Sequence, residues 1–256
     1  EPVNSSANRE LVEKFNLRSA KEMLYFGKEA QEALSTRLIE KLPAYRSGIR
    51  FLLDQSSWGS TKTYGRSRTL CLFLSVGYRA LVMDDDIICQ TMLSPITEEG
   101  VGIGSGFLRE AAFYQSEQEL AANSRPADVN PLSEHASLLG SSLSHALQVS
   151  NNGPLRESQL LNVNAALTDI LRPESPIIAT QCGSLGDPGT ATAQWGLFQS
   201  DDSMARLIGA PHGITAALEN RLVWLGSTRT NFYKMPFMSQ LTGLDNSQLL
   251  PPYFPA

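Results

Sequence analysis

Cysteine is scarce in this sequence. Cys71, Cys89 and Cys182 are odd in number, lie far apart and include no Cys-x-x-Cys pair. Neither a disulfide framework nor a zinc knuckle fits that usage, and a reducing cytoplasm is the expected compartment. His135, His145 and His212 are widely spaced, with no Cys or Glu at ligand spacing, which argues against a zinc centre. No apolar run approaches the roughly 20 residues of a membrane-spanning helix, so no transmembrane segment is expected. The first residues also lack the basic-then-apolar order of a signal peptide. Basic charge is short: 21 Lys and Arg against 26 Asp and Glu give a net charge of −5, so a general nucleic-acid partner is not expected. Gly-x-Ser-x-Gly and the phosphate-cradling Gly-x-x-x-x-Gly-Lys-Ser/Thr are both absent, which weakens serine hydrolase and nucleotide hydrolase readings.

What remains is a chain of 256 residues, 42% hydrophobic, with enough apolar material for a substantial core. "SSANRELVEKFN" has capping residues and helical apolar spacing, and "KEAQEALSTRLIEKLP" predicts a second helix stopped at Pro43. "EMLYFG" and "GIRFLLD" read as strands, and "RSRTLCLFLSVG" as an apolar helix ending at Gly77. "RALVM" is a further strand. The alternation favours an α/β layered domain with a largely parallel sheet. Beyond residue 98 the pattern weakens. "EEGVGIGSGF" reads as a flexible loop or lid, because Phe107 stands where a dinucleotide fingerprint needs its third Gly. "EQELAANSRPADVNP" reads as a loop with a helical turn, and "SEHASLLGSSLSHAL" as one amphipathic surface helix from Ser133. Ile177 to Thr180 reads as a short strand before a small-residue loop, and "ALENRLVWLGSTRTNF" as a helix or strand with a polar turn.

The strand "RALVM" runs straight into Asp84, Asp85 and Asp86. Alternation would put Asp84 and Asp86 on one side and Asp85 on the other, unless the strand breaks there. Adjacent carboxylates repel, and a divalent cation removes that penalty. Mg²⁺ and Mn²⁺ are commonly held by one or two carboxylates together with substrate phosphates, so Asp-x-Asp at a strand end suits a metal–diphosphate clamp. An acidic surface turn is the simpler alternative.

"YGRSRTLCLFLSVGYRALVMDDD" resembles the stretch of family 2-like GT-A glycosyltransferases in which a Gly-x-x-Arg loop opens a helix, a Gly ends it, and a hydrophobic strand delivers Asp-x-Asp. Gly65 and Arg68 take the loop positions, Gly77 the helix end, and Asp84 and Asp86 the metal motif. Ser67 and Thr69 stand where the family often has Ala and Asn. The resemblance is best from about 49 to 90 and weaker over "TQCGSLGDPGT" and "MSQLTGLDNSQLLPPYFP". It implies a GT-A-like three-layer α/β/α domain with a mixed, mostly parallel sheet. Residues 1–97 would be its nucleotide-binding half and 98–256 its acceptor-side half.

The implied activity is transfer of a sugar, with inversion, from a nucleotide-sugar donor to an acceptor, with Mn²⁺ or Mg²⁺ as cofactor. Asp84 and Asp86 would ligate the metal, Asp85 would contact the ribose or donor sugar, and Arg66 or Arg68 would support the diphosphate at a helix start. Asp187 is the weak catalytic candidate, which could bind the donor sugar or the acceptor, or else a turn residue before Pro188. The resemblance also implies a fragment, with the first strand before Glu1 and the general base beyond Pro255. Other candidate bases inside the chain are Asp201, Asp202 and Asp245, the first two reading first as an exposed helix start and Asp245 as a turn or helix cap. Trp58, Trp195 and Trp224 read as core or rim aromatics, Trp195 being the one placed for sugar stacking, and His212 sits in a loop suited to an acceptor contact. The rival expectations are a nucleotidyltransferase of related fold and a non-catalytic carbohydrate- or nucleotide-binding domain.

Overall fold

The computed structural model describes residues 4–57, 64–104, 110–151, 155–160, 163, 171–187, 199–211, 213–233 and 240–250. Pro188, Trp58, Trp195, His212, the 105–107 part of the glycine-rich stretch and the 251–255 segment lie outside them. Helices and strands are mixed, and the chain divides into two compact units, one built on residues 4–76 with 249–250 and the other on 77–248.

The described part of the first unit is helical: α1 (Ser5–Asn16), α2 (Lys28–Lys41), α3 (Arg46–Leu53) and α4 (Tyr64–Leu74). The first two lie where the sequence predicts them, and Lys41 in the last turn of α2 complements the helix dipole before Pro43 begins a 3₁₀ turn. "GIRFLLD" is not a strand. Ile49, Leu52 and Leu53 fall on one helical face, and Ile49 and Leu53 pack with Leu70 of α4 into a core flanked by Phe26, Leu34 and Leu38. "EMLYFG" is not a strand either. Met23 gives both backbone groups to the Asn16 side-chain amide, so the segment is tied locally and has no ladder to join.

The second unit holds the described strands, β1 (Arg79–Met83), β2 (Val101–Gly104), β3 (Glu110–Phe113), β4 (Ala179–Gln181), β5 (Ser184–Gly186), β6 (Val223–Gly226), β7 (Thr230–Tyr233) and β8 (Leu241–Asp245). They form three small sheets in the orders β1-β8-β4, β2-β7 and β3-β6-β5. Among the described strands only β2–β7 pairs in parallel; the other four pairings are antiparallel, so the sheets differ from the mostly parallel one expected. Strands joined by long excursions close on partners far away in sequence, a choice that local periodicity does not encode. Val101–Gly104, expected as loop, is a strand because Val101 and Ile103 are buried against the rest of the unit.

The helices of this unit are α5 (Glu117–Asn123), α6 (Pro131–Leu138), α7 (Leu143–Asn151), α8 (Asp201–Ile208) and α9 (Gly213–Asn220). Side-chain caps start three of them: Ser116 accepts from Glu119 N–H, Asn130 from Leu132 and Ser133, and Ser200 from Ser203. The single helix expected from Ser133 is two. Gly140 at φ +74° breaks it, and a Cβ there would run into the Arg79 guanidinium. Both halves carry buried residues, His135 in α6 and Leu143 and Ala146 in α7, so the segment is not a surface feature. The helix-or-strand ambiguity at 217–232 resolves as the end of α9, then β6 and most of β7.

Burial gives the stability test. Leu139→Ala, at a side chain 2% exposed, should cost about 2–5 kcal/mol in chemical denaturation. Ile88→Ala, at 88% exposure, should change stability by less than about 0.5 kcal/mol.

Candidate functional site

Gly77, at φ +82°, turns the chain into β1 and donates its N–H to Asn246 O (3.2 Å), while Asn246 N–H returns to Tyr78 O (3.0 Å). The β1–β8 ladder then runs from Arg79 opposite Asp245 to Met83 opposite Leu241. Asp84 N–H donates to Gln240 O at 2.9 Å, one rung beyond the named strand. The ladder therefore fixes the Asp84 backbone. The strand breaks immediately afterwards: Asp85 and Asp86 form an exposed turn, whereas Asp84 is half-buried. β1 is an edge strand rather than a central one, with Val82 buried and its neighbours Leu81 and Met83 exposed. The donor set is oxygen-only and open to solvent, which suits a hard divalent cation sharing its shell with phosphate oxygens. Among the described residues no three His, Cys, Asp or Glu side chains gather as a closed metal cage.

The arginines expected beside this cluster belong to the other unit. Arg66 Nε donates to Leu53 O at 2.8 Å, which pins the start of α4 to the end of α3. Arg68 is also engaged. For Arg66 the structural role is thus visible in the bonding.

Each candidate base is also placed. Asp245 pairs with Arg79, at the opposite end of β1 from Asp84, roughly 16 Å away at about 3.3 Å per residue. Its Oδ1 accepts from Ser247 N–H and hydroxyl, and the Arg79 Nε lies 3.6 Å from Oδ2. The Ser247 hydroxyl bond, helped by the Ser247 N–H and Arg79, holds this carboxyl below its ordinary range. It is the turn-capping residue that the sequence suggests. Asp201 and Asp202 are exposed in the first turn of α8, also as expected. Asp187 meets Arg221 two-pronged, Oδ2 at 2.8 Å from Nε and Oδ1 at 2.6 Å from Nη2, with Arg221 itself at φ +56°. Both carboxylate oxygens of Asp187 are thus engaged by the Arg221 guanidinium.

The sequence reading missed a second polar centre. Glu110 Oε2 accepts from the Ser203 hydroxyl (2.6 Å) and Arg206 Nη2 (2.7 Å), Ser203 Oγ accepts Ala111 N–H (2.8 Å), and Arg206 Nε donates to Ala111 O (3.0 Å). Ser203 is fully buried. Burial raises the Glu110 carboxyl, but hydrogen bonds from Ser203, Ser200 and Arg206 together with the Arg206 charge outweigh it and the net shift is downward. Arg206 also borders a cleft of about 350 Å³ with Phe113, Tyr114, Glu119 and Pro211. Ninety-three residues separate Glu110 from Ser203, and nothing local in the sequence marks the pair. His135 is buried, with Nδ1 2.8 Å from Thr180 Oγ1, and burial lowers its pKa. Trp224 is a core residue of β6, 6% exposed.

No protein-family model, curated protein or solved structure matches this chain. No helix among the described residues is long and apolar enough to cross a membrane.

The shifts set the pH response. Burial lowers the His135 pKa in the fold, so as pH falls below about 6.5 the unfolded chain takes up its proton first and stability falls. Glu110 and Asp245, both lowered, add stability that is complete above their ordinary values and is lost as pH falls below about 4.5. Denaturation midpoints measured from pH 8 to 3 should therefore fall in two steps. His135→Gln, which keeps a polar partner for Thr180, should remove the first step and leave the second.

Proposed function

We propose that the chain is a metal-dependent glycosyltransferase of GT-A-like architecture, taking its sugar from a nucleotide-sugar donor. The observation that carries this reading is the Asp84–Asp86 segment. The backbone of its first aspartate is anchored by the last rung of the β1–β8 ladder, and the next two aspartates stand exposed on the turn beyond it. The order of the motif also supports it, since a helix, a glycine in the left-handed region, a strand and the carboxylates all form in that sequence. Asp84 and Asp86 would hold Mn²⁺ or Mg²⁺, which when bound neutralises the departing diphosphate. Asp85, on the exposed turn, would contact the ribose or the donor sugar. The rigid Asp84 backbone positions one ligand before the donor arrives, and the turn supplies carboxylates able to adjust to it.

One observation favours a second reading, a domain that binds a nucleotide or carbohydrate without turnover. Among the candidate bases, Asp245 lies at the far end of β1, Asp187 is bound by Arg221, and Asp201 and Asp202 are surface residues in the first turn of α8.

Calorimetric titration of nucleoside diphosphates and nucleotide-sugars, with and without Mn²⁺, separates these possibilities. The expected result is binding that requires the cation and weakens about tenfold or more in Asp84→Ala/Asp86→Ala, a loss of at least about 1.4 kcal/mol. Equal binding without metal, or in the double variant, overturns the metal–diphosphate reading. Metal-dependent binding with no release of nucleoside diphosphate across a panel of sugar and lipid-linked acceptors favours the binding domain.

A further inference from the structure

The first unit carries a shallow cleft of about 500 Å³ beside α3, lined by Arg46, Ser47, Arg50, Phe51 and Ser57 with Pro43 at its edge. Arg46 and Arg50 are four residues apart on one helix, so their side chains leave the same face. Neither guanidinium makes a hydrogen bond or ion pair among the described residues. Like charges at this spacing disfavour the helix unless an anion stands between them. The nearest carboxylate in sequence, Asp54, gives its Oδ1 to the N–H and hydroxyl of Ser56 and reaches Arg50 only through its field.

The charge distribution is consistent with a local purpose. Residues 41–53, "KLPAYRSGIRFLL", contain three basic side chains and no acidic one. Residues 1–76 hold twelve Lys and Arg against eight Asp and Glu, whereas residues 77–256 hold nine against eighteen. The basic excess of an acidic protein is thus concentrated in the part of the chain that contains the cleft. Two forked guanidiniums one turn apart match the oxygens of a phosphoryl group, and the hydroxyls of Ser47 and Ser57 add uncharged donors. Phe51, half exposed on the same lining, offers an apolar face to whatever the phosphate is attached to.

We propose that this cleft is a binding site for a phosphate ester, with Arg46 and Arg50 gripping the phosphoryl oxygens and Phe51 covering the organic portion. It needs no cation, and it uses none of the residues of the Asp84–Asp86 segment. Its success or failure is therefore independent of the donor-site proposal.

The test is binding in EDTA, where the carboxylate site is silent. The probes are inorganic pyrophosphate, followed by calorimetry, and phosphatidylcholine vesicles with and without phosphatidylglycerol, followed by co-sedimentation. At least one probe should bind saturably at low salt, weaken as salt is raised, and lose about tenfold or more of its affinity in Arg46→Gln/Arg50→Gln. Asp84→Ala/Asp86→Ala should bind as the unaltered chain does. Arg46→Lys/Arg50→Lys, which keeps the charge but not the fork, should fall between the two. Binding of pyrophosphate identifies a soluble phosphate ester as the ligand, and binding of the anionic vesicles alone identifies a lipid headgroup. Absence of binding by both probes to the folded protein, or equal binding by the glutamine variant with an unchanged circular dichroism spectrum, overturns the proposal.

Discussion

The pairing of β1 with β8 is the constraint on which the second unit depends. It joins residues 79–83 to 241–245, and the Gly77–Asn246 and Asn246–Tyr78 hydrogen bonds extend it at one end while Asp84–Gln240 extends it at the other. One continuous ladder therefore closes a loop of more than 150 residues. Loop closure on that scale carries an entropic cost that grows only slowly with length, so the excursion between the two strands can be long without changing the balance much. β4 then joins the free edge of β8, and His135 on α6 bonds Thr180 of β4. Removing β8 would unpair two strands at once and free the backbone that fixes Asp84.

The Glu110–Ser203–Arg206 centre does for the β3-β6-β5 sheet what the ladder does for the β1-β8-β4 sheet. It ties α8 to β3 through bonds to side chains and to both backbone groups of Ala111, beside the apolar cluster of Ala111, Val223 and Leu225. A partly buried ion pair is not in itself a strong source of stability, because desolvation offsets much of the attraction. Here every partner is also hydrogen-bonded, and the penalty for breaking the set by removing one member exceeds what the set adds when intact. Its effect is to specify which face of α8 meets the sheet.

Elements whose signal is local were legible in the sequence. Ser5–Asn16, Lys28–Lys41 and Arg79–Met83 formed within a residue or so of their expected limits, because capping, proline and hydrophobic period agree there. "GIRFLLD" misled because a short apolar run fits helix and strand alike, and the arbiter is tertiary: Leu70 of α4 and the flank of α2 offer a helical face to bury against. The 101–104 strand was hidden by its glycines, and its partner, 230–233, lies far along the chain. At the candidate site the aspartates could be read but their geometry could not. Whether the strand would end at Asp84 depends on Gln240, more than 150 residues away.

That dependence bears on how the carboxylates would act. A rigid strand carrying all three would hold Asp84 and Asp86 on one face at fixed separation and turn Asp85 away. The observed break does something else, since the ladder holds the backbone of the first aspartate while the next two stand on a solvent-exposed turn. In water their mutual repulsion is modest, so the turn tolerates them without a counter-ion. With a cation present the exposed turn would let both reach it, at the cost of the turn's entropy. Such a site gains most of its rigidity from its ligand, so affinity there should depend strongly on what the donor's own oxygens supply. Binding and turnover then become separable properties. On the proposed reading, the first would be a matter of this turn and the donor, whereas the second would need a proton acceptor, a part for which Asp187, tied to Arg221, and Asp245, about 16 Å along β1, are poorly placed.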